Sequence, residues 1–133
     1  MTQEEKDLLL RDICSRMPYG VKFKHEDKHT LCEILSITPI YDYENVIYFN
    51  DYINHPKKCN IDDVKPYLFP LSSMTKEQKI IYGDLCYAII HSLAWDTQAA
   101  LNELNDWLNK NHFDHNNLIP KGLANDATNL NVY

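Results

Sequence analysis

The hydrophobic period of this chain changes twice, and that alone limits how it can fold. Leu9, Ile13 and Met17 recur at i, i+4 and i+8 with Cys14 beside them, which draws one apolar stripe along a helix. From Val21 the pattern turns strand-like. Val21 to Lys24 alternates apolar and charged residues, Thr30 to Ile37 is rich in β-branched and apolar residues, and Val46 to Phe49 is a third apolar run. From Ile81 the four-residue period returns in Leu85, Ile89 and Leu93, with Tyr82, Cys86 and Ile90 widening the face. Strands gathered between helices predict an α+β fold: an N-terminal helix, a small antiparallel sheet or barrel, and two C-terminal helices packed across it.

Local signals punctuate that plan. Thr2 with Glu5, and Thr75 with Gln78, each fit a capping box, in which two side chains satisfy two free backbone N–H groups. Pro18 stops the first helix and Tyr19-Gly20 turns the chain. Asp51 to Asp63 is polar and reads as loop. Pro66 and Pro70 bracket Lys65 to Pro70, so an edge strand or extended segment is expected there. The second helix is apolar over a broad arc and is expected to be the central one. Asp96 or Thr97 caps the third, marked by Leu101, Leu104 and Leu108 with Trp107 on its flank. Residues 114–133 have no sustained period and read as an irregular tail that wraps the surface or frays. At 133 residues, one domain over 1–133 is the expectation.

Charge narrows the function. The chain carries 13 basic and 19 acidic residues, a formal net charge of −6. Lys57-Lys58 is the only adjacent basic pair, so no cationic track exists for duplex nucleic acid or an anionic membrane. No apolar run approaches the ~20 residues that span a bilayer, and Met1 to Asp12 lacks the features of a signal peptide. The four cysteines form no CxxC. They read as reduced thiols in a cytoplasmic protein, with Cys14 and Cys86 as core residues and Cys59 as a spare surface thiol.

Candidate chemistry is sparse. His112-x-x-His115 with Asp114 suggests a metal-dependent hydrolase, but it follows a helix end and lacks a second ligand pair. Ser72 and Ser73 stand in no GxSxG context, and three glycines build no phosphate-cradling loop. Asp62-Asp63 and Glu4-Glu5 suit helix and turn N-termini. No catalytic constellation emerges, so no enzymatic activity and no cofactor are expected. The tyrosines are more suggestive. Tyr41, Tyr43, Tyr48 and Tyr52 crowd together with Phe49, and rigid aromatic side chains are good contact residues.

Three stretches carry a resemblance. They are Met17-Pro18-Tyr19-Gly20-Val21, then Lys65-Pro66-Tyr67-Leu68 through Pro70-Leu71-Ser72-Ser73-Met74-Thr75, and Trp107-Leu108-Asn109-Lys110-Asn111-His112-Phe113-Asp114 with Leu118-Ile119-Pro120-Lys121-Gly122-Leu123-Ala124. This resembles an uncharacterised family of small open reading frames from phages and prophages of gut anaerobes, over nearly the whole chain. The sequence departs from that pattern at Phe69 and at His115-Asn116-Asn117, where relatives carry arginine.

The resemblance implies an accessory phage protein that interferes with host antiviral defence. Its partner would be a host defence protein or a nucleotide second messenger. For a nucleotide, Tyr19, Tyr67, Tyr41 and Tyr43 would stack on the base while Arg16, Lys22 or Lys121 met the phosphate. A homo-oligomer would help so small a chain build a pocket. The alternatives are a self-associating structural phage protein and, third, the metal-dependent hydrolase.

Overall fold

The computed structural model describes residues 1–25, 31–40, 44–50, 57–93 and 96–133. Helix α1 spans Gln3–Arg16. Its capping box is formed: Thr2 Oγ1 accepts from Glu5 N at 3.2 Å and Glu5 Oε2 accepts from Thr2 N at 2.8 Å. A 3-10 turn at Met17–Tyr19 follows, and Gly20 at φ +84° redirects the chain. Any Cβ there would be strained by that backbone and would meet Glu33 Oε1 at 3.2 Å.

The strands are β1 Lys22–His25, β2 Leu31–Ile40, β3 Glu44–Asn50, β4 Lys57–Asn60, β5 Val64–Leu68 and β6 Asn125–Asp126. They form one open sheet in the order β4-β3-β2-β1-β5-β6. All pairings are antiparallel except β5 with β6. Of the two expected forms, an open sheet is therefore the one adopted. β4 falls inside the stretch read as loop. Its residues other than Cys59 are polar, and its strand identity comes from pairing Lys57 to Asn60 along β3 rather than from its own composition. Cys59, expected as a spare surface thiol, packs half-buried against the core because the pairing turns it inward. β5 carries Pro66 opposite Phe23, at a level β6 does not reach, which suits a proline near a sheet edge.

Strand alternation makes the sheet one-sided. Phe23, Cys32, Ile34, Ile47, Phe49, Val64 and Leu68 are buried together with Leu9 and Ile13 of α1. Phe23 and Phe49 meet edge-to-face, 5.2 Å between centroids. Leu118, Leu123 and Ala124 complete the same cluster, so the irregular stretch 114–133 supplies core. The opposite face shows Leu35, Tyr48 and Lys65 to solvent.

Helices α2 (Lys76–Ile90) and α3 (Thr97–Lys110) form a hairpin. The second capping box is present at Thr75 and Gln78. The expectation of a central α2 is corrected here: not one of its residues is buried. Its partly covered side carries Tyr82, Leu85, Cys86 and Ile89, with Tyr82 against Leu104 and Trp107 of α3. A broad apolar arc reports that a helix is to be covered, not which chain covers it. Cys14, expected in the core, is exposed, because Asp12 and Arg16 occupy the buried face of α1 with Leu9 and Ile13.

That buried pair ties the two ends of the chain together. Arg16 Nε and Nη2 donate to Asp12 Oδ2 and Oδ1 at 2.8 and 2.9 Å. Nη2 also donates to the Phe113 carbonyl at 2.7 Å, and Asn116 Nδ2 donates to Asp12 Oδ1 at 2.8 Å. Removing one member strands a buried charge, which costs about 3–5 kcal/mol, whereas an apolar pair of similar volume is far better tolerated. Asp12→Ala should therefore lower urea stability by that amount, and Asp12→Leu with Arg16→Met by clearly less. Equal losses in the two variants would refute the stranded-charge account.

Candidate functional site

Two features of the α2–α3 hairpin stand out among the described residues once the core is accounted for. The first is a cleft of about 490 Å³ at its base, lined by Phe69, Ser73, Thr75, Gln78, Lys110, Asn111, His112, Phe113 and Tyr133. The second is the outward face of α2.

The cleft is built by the way α3 ends. His112 adopts φ +60°, the left-handed conformation that closes helices, uncommon for a residue with a side chain. The chain then runs beside Phe69: Phe69 N donates to His112 O and Asp114 N to Phe69 O, both at 2.8 Å. Asp114 accepts from Leu118 N at 2.8 Å and Ile119 N at 2.9 Å, so the next turn is held by a buried carboxylate. The His112 ring stacks on Tyr133, 3.5 Å apart and 12° from parallel. Tyr133 in turn donates its hydroxyl to Tyr67 O at 3.0 Å and accepts from Lys22 N at 3.2 Å. Lys22 Nζ donates to Val132 O at 2.8 Å.

This arrangement sets the titration of the site. Burial, then the nearby charges of Arg16 and Lys22, pushes the His112 imidazole down to about 4. Burial pushes the Tyr133 phenol up to about 12. Burial also lowers His115, whose Nε2 pairs with Asn109 Oδ1 at 2.9 Å. Among the described residues, His112 Nδ1 and Arg16 Nη1 are buried without a hydrogen-bond partner.

Most polar groups on the cleft rim are already engaged. Ser73 Oγ donates to Pro70 O at 2.7 Å, Thr75 and Gln78 bond each other, and Asn111 Nδ2 donates to Trp107 O at 2.9 Å. Lys110 adds a cation, and Phe69, Phe113 and Tyr133 add aromatic surface.

The ligand residues expected from sequence scatter. Arg16 is enclosed by Asp12 and the Phe113 carbonyl, so it faces protein rather than solvent. Lys22 and Tyr67 converge on Tyr133, where they secure the chain's last residues. Tyr19 is exposed at the end of its 3-10 turn. Lys121 lies in a separate groove with Arg11, Glu4, Glu5 and Asp7, where three carboxylates outnumber the two cations. Tyr41, Tyr43 and Tyr52 lie outside the described residues. His112 and His115 turn to different partners, and among the described residues no three His, Cys, Asp or Glu side chains gather as a metal site.

The outward face of α2 was missed by the sequence reading. Ile80, Tyr87 and Ile90 are 58%, 63% and 76% exposed. With Gly83 they recur at i, i+3, i+7 and i+10, a single stripe along the helix. A Cβ at Gly83 would meet nothing within 4 Å. The apolar arc itself was legible, but its direction was not. Among the described residues no helix is long and apolar enough to cross a membrane. No protein-family model matches this chain, and no curated protein or solved structure is significantly similar to it.

The lowered His112 titration makes stability depend on pH with a definite sign. The unfolded imidazole takes its proton near pH 6.5, and the folded one only near 4. Between these values protons favour the unfolded chain, so stability is fully present above pH 6.5 and falls as the pH drops toward 4. The loss attributable to His112 is up to about 3 kcal/mol. His112→Asn, which still tolerates the left-handed backbone, should flatten urea stability between pH 7 and 4. An unchanged slope would remove His112 from this role.

Proposed function

We propose that this protein is a non-catalytic accessory binding protein of a phage, acting in the host cytoplasm by docking on a protein of the antiviral defence and blocking it. The observation that carries this reading is the apolar stripe on the outer side of α2. Fully burying a side chain the size of Ile gains roughly 1.5–3 kcal/mol over leaving it in water. Three such residues on one exposed helix face, with a tyrosine at the centre, favour a surface that another protein covers. The surrounding Lys76, Lys79, Asp84 and His91 are exposed and would form the polar rim of such a contact.

Sequestration of a nucleotide signal is the second reading, and the cleft favours it. Aromatic walls, Lys110 and the adjacent N-terminus of α2 suit a base and a phosphate. It ranks second because the rim's polar side chains already bond one another. A self-associating structural role would use the same α2 face as the first reading.

The test is suppression of host defence by the expressed protein, scored as phage plating efficiency. Tyr87→Asp and Ile90→Asp should each reduce suppression by about tenfold or more, the equivalent of ~1.4 kcal/mol of docking free energy. Their far-UV circular dichroism should be unchanged, because neither residue is buried. If Lys110→Glu abolishes suppression while the two α2 variants keep it, the docking reading fails and the nucleotide reading takes its place.

A further inference from the structure

We infer that the occupant of the α2 stripe is a second copy of this chain, lying antiparallel across a two-fold axis that crosses the stripe midway between Gly83 and Tyr87. This inference rests on the reading of the α2 face as a docking surface and seats a second copy of the chain on it in place of the host protein.

The first argument is the spacing. A two-fold contact demands that residue i meet residue j and j meet i. Ile80, Gly83, Tyr87 and Ile90 are symmetric about position 85. Antiparallel pairing sets Ile80 against Ile90 of the second copy, and Gly83 against Tyr87 of the second copy. The largest side chain of the stripe thus falls on the one position that has none. Open space surrounds the Gly83 Cα, with nothing within 4 Å of a would-be Cβ. Glycine within an exposed helix lowers helix stability, so its place there is explained by the room it leaves.

The second argument is charge. Antiparallel pairing brings Lys76 and Lys79, on the first turn of α2, to the C-terminal end of the other α2. The free carbonyls there carry partial negative charge, and Asp96, the N-cap of α3, lies just beyond. Parallel pairing would instead set Lys79 on Lys79 and Tyr87 on Tyr87, and would leave a gap between two glycines.

The third argument is area. Ile80, Tyr87 and Ile90 are 58%, 63% and 76% exposed, and at about 150–200 Å² per side chain they leave roughly 300–400 Å² of apolar surface open on the stripe. A standard interface buries about 800 Å² per partner, a little over half of it apolar. The stripe thus supplies most of the apolar part of one side of a small dimer.

The test is sedimentation equilibrium on the purified chain with two variants of opposite local effect. The wild type should be a dimer at micromolar concentration. Ile90→Asp should weaken dimerisation about 100-fold or more with unchanged circular dichroism. Gly83→Leu should weaken it similarly while raising the melting temperature of the monomer, because the new side chain has room in one copy and none between two. A wild type that is monomeric at about 100 µM, or a dimer that neither variant disturbs, overturns the inference. The docking reading is separable. A monomeric chain whose Ile90→Asp variant loses defence suppression overturns the second copy and keeps the docking surface. A dimer dissociated by Ile90→Asp with suppression intact supports the second copy and removes the host protein from that face.

Discussion

The Asp12–Arg16 pair is the constraint on which the rest of the structure hangs. Two opposite charges one helical turn apart would contribute little on a surface. Here both are fully buried, so neither can be left unsatisfied. Arg16 reaches the Phe113 carbonyl and Asp12 receives Asn116, about a hundred residues away in sequence. The first helix is thereby fastened to the segment that follows the third.

That fastening decides the fate of the chain after α3. His112 turns the backbone, Asp114 holds the next turn, and Leu118, Leu123 and Ala124 are delivered to the core of the sheet. Tyr133 then returns to β1 and β5 through Lys22 and Tyr67. A stretch without periodicity becomes structural because buried polar groups, not a repeating apolar pattern, specify its path. The same enclosure explains why an imidazole and a phenol in contact titrate far from their usual ranges in opposite directions. Each keeps its neutral form where charge would be desolvated.

The sequence made local decisions legible and long-range ones not. Both capping boxes, the stop at Pro18 and the α+β order follow from residues within a few positions of one another. β4 was hidden because Lys57 to Asn60 become a strand only beside β3. Arg16 and Lys22 were visible as cations available to a phosphate. Their actual acceptors, the carbonyls of Phe113 and Val132, lie 97 and 110 residues away and leave no mark in a single sequence. Tyr133 escaped notice for the same reason, and His112 was read as a candidate metal ligand rather than as the ring stacked on Tyr133.

The case of α2 differs, because its residues were read as apolar and the error lay in the destination of that surface. A periodic apolar arc states a demand for burial, and a one-domain prior assigns the burial to the chain's own core. The core here is already complete without α2. Leu9, Ile13 and the segment 118–124 cover the sheet, while the hairpin is anchored at its base by Met74, Leu108 and Phe113. Stability and outward contact are thus separated in space. The core depends on the Asp12–Arg16 pair at one end of the hairpin. The apolar stripe, with its unfilled glycine, lies on the other side of α2 from the helix it packs against. Such a division lets the exposed stripe change while leaving the buried network untouched.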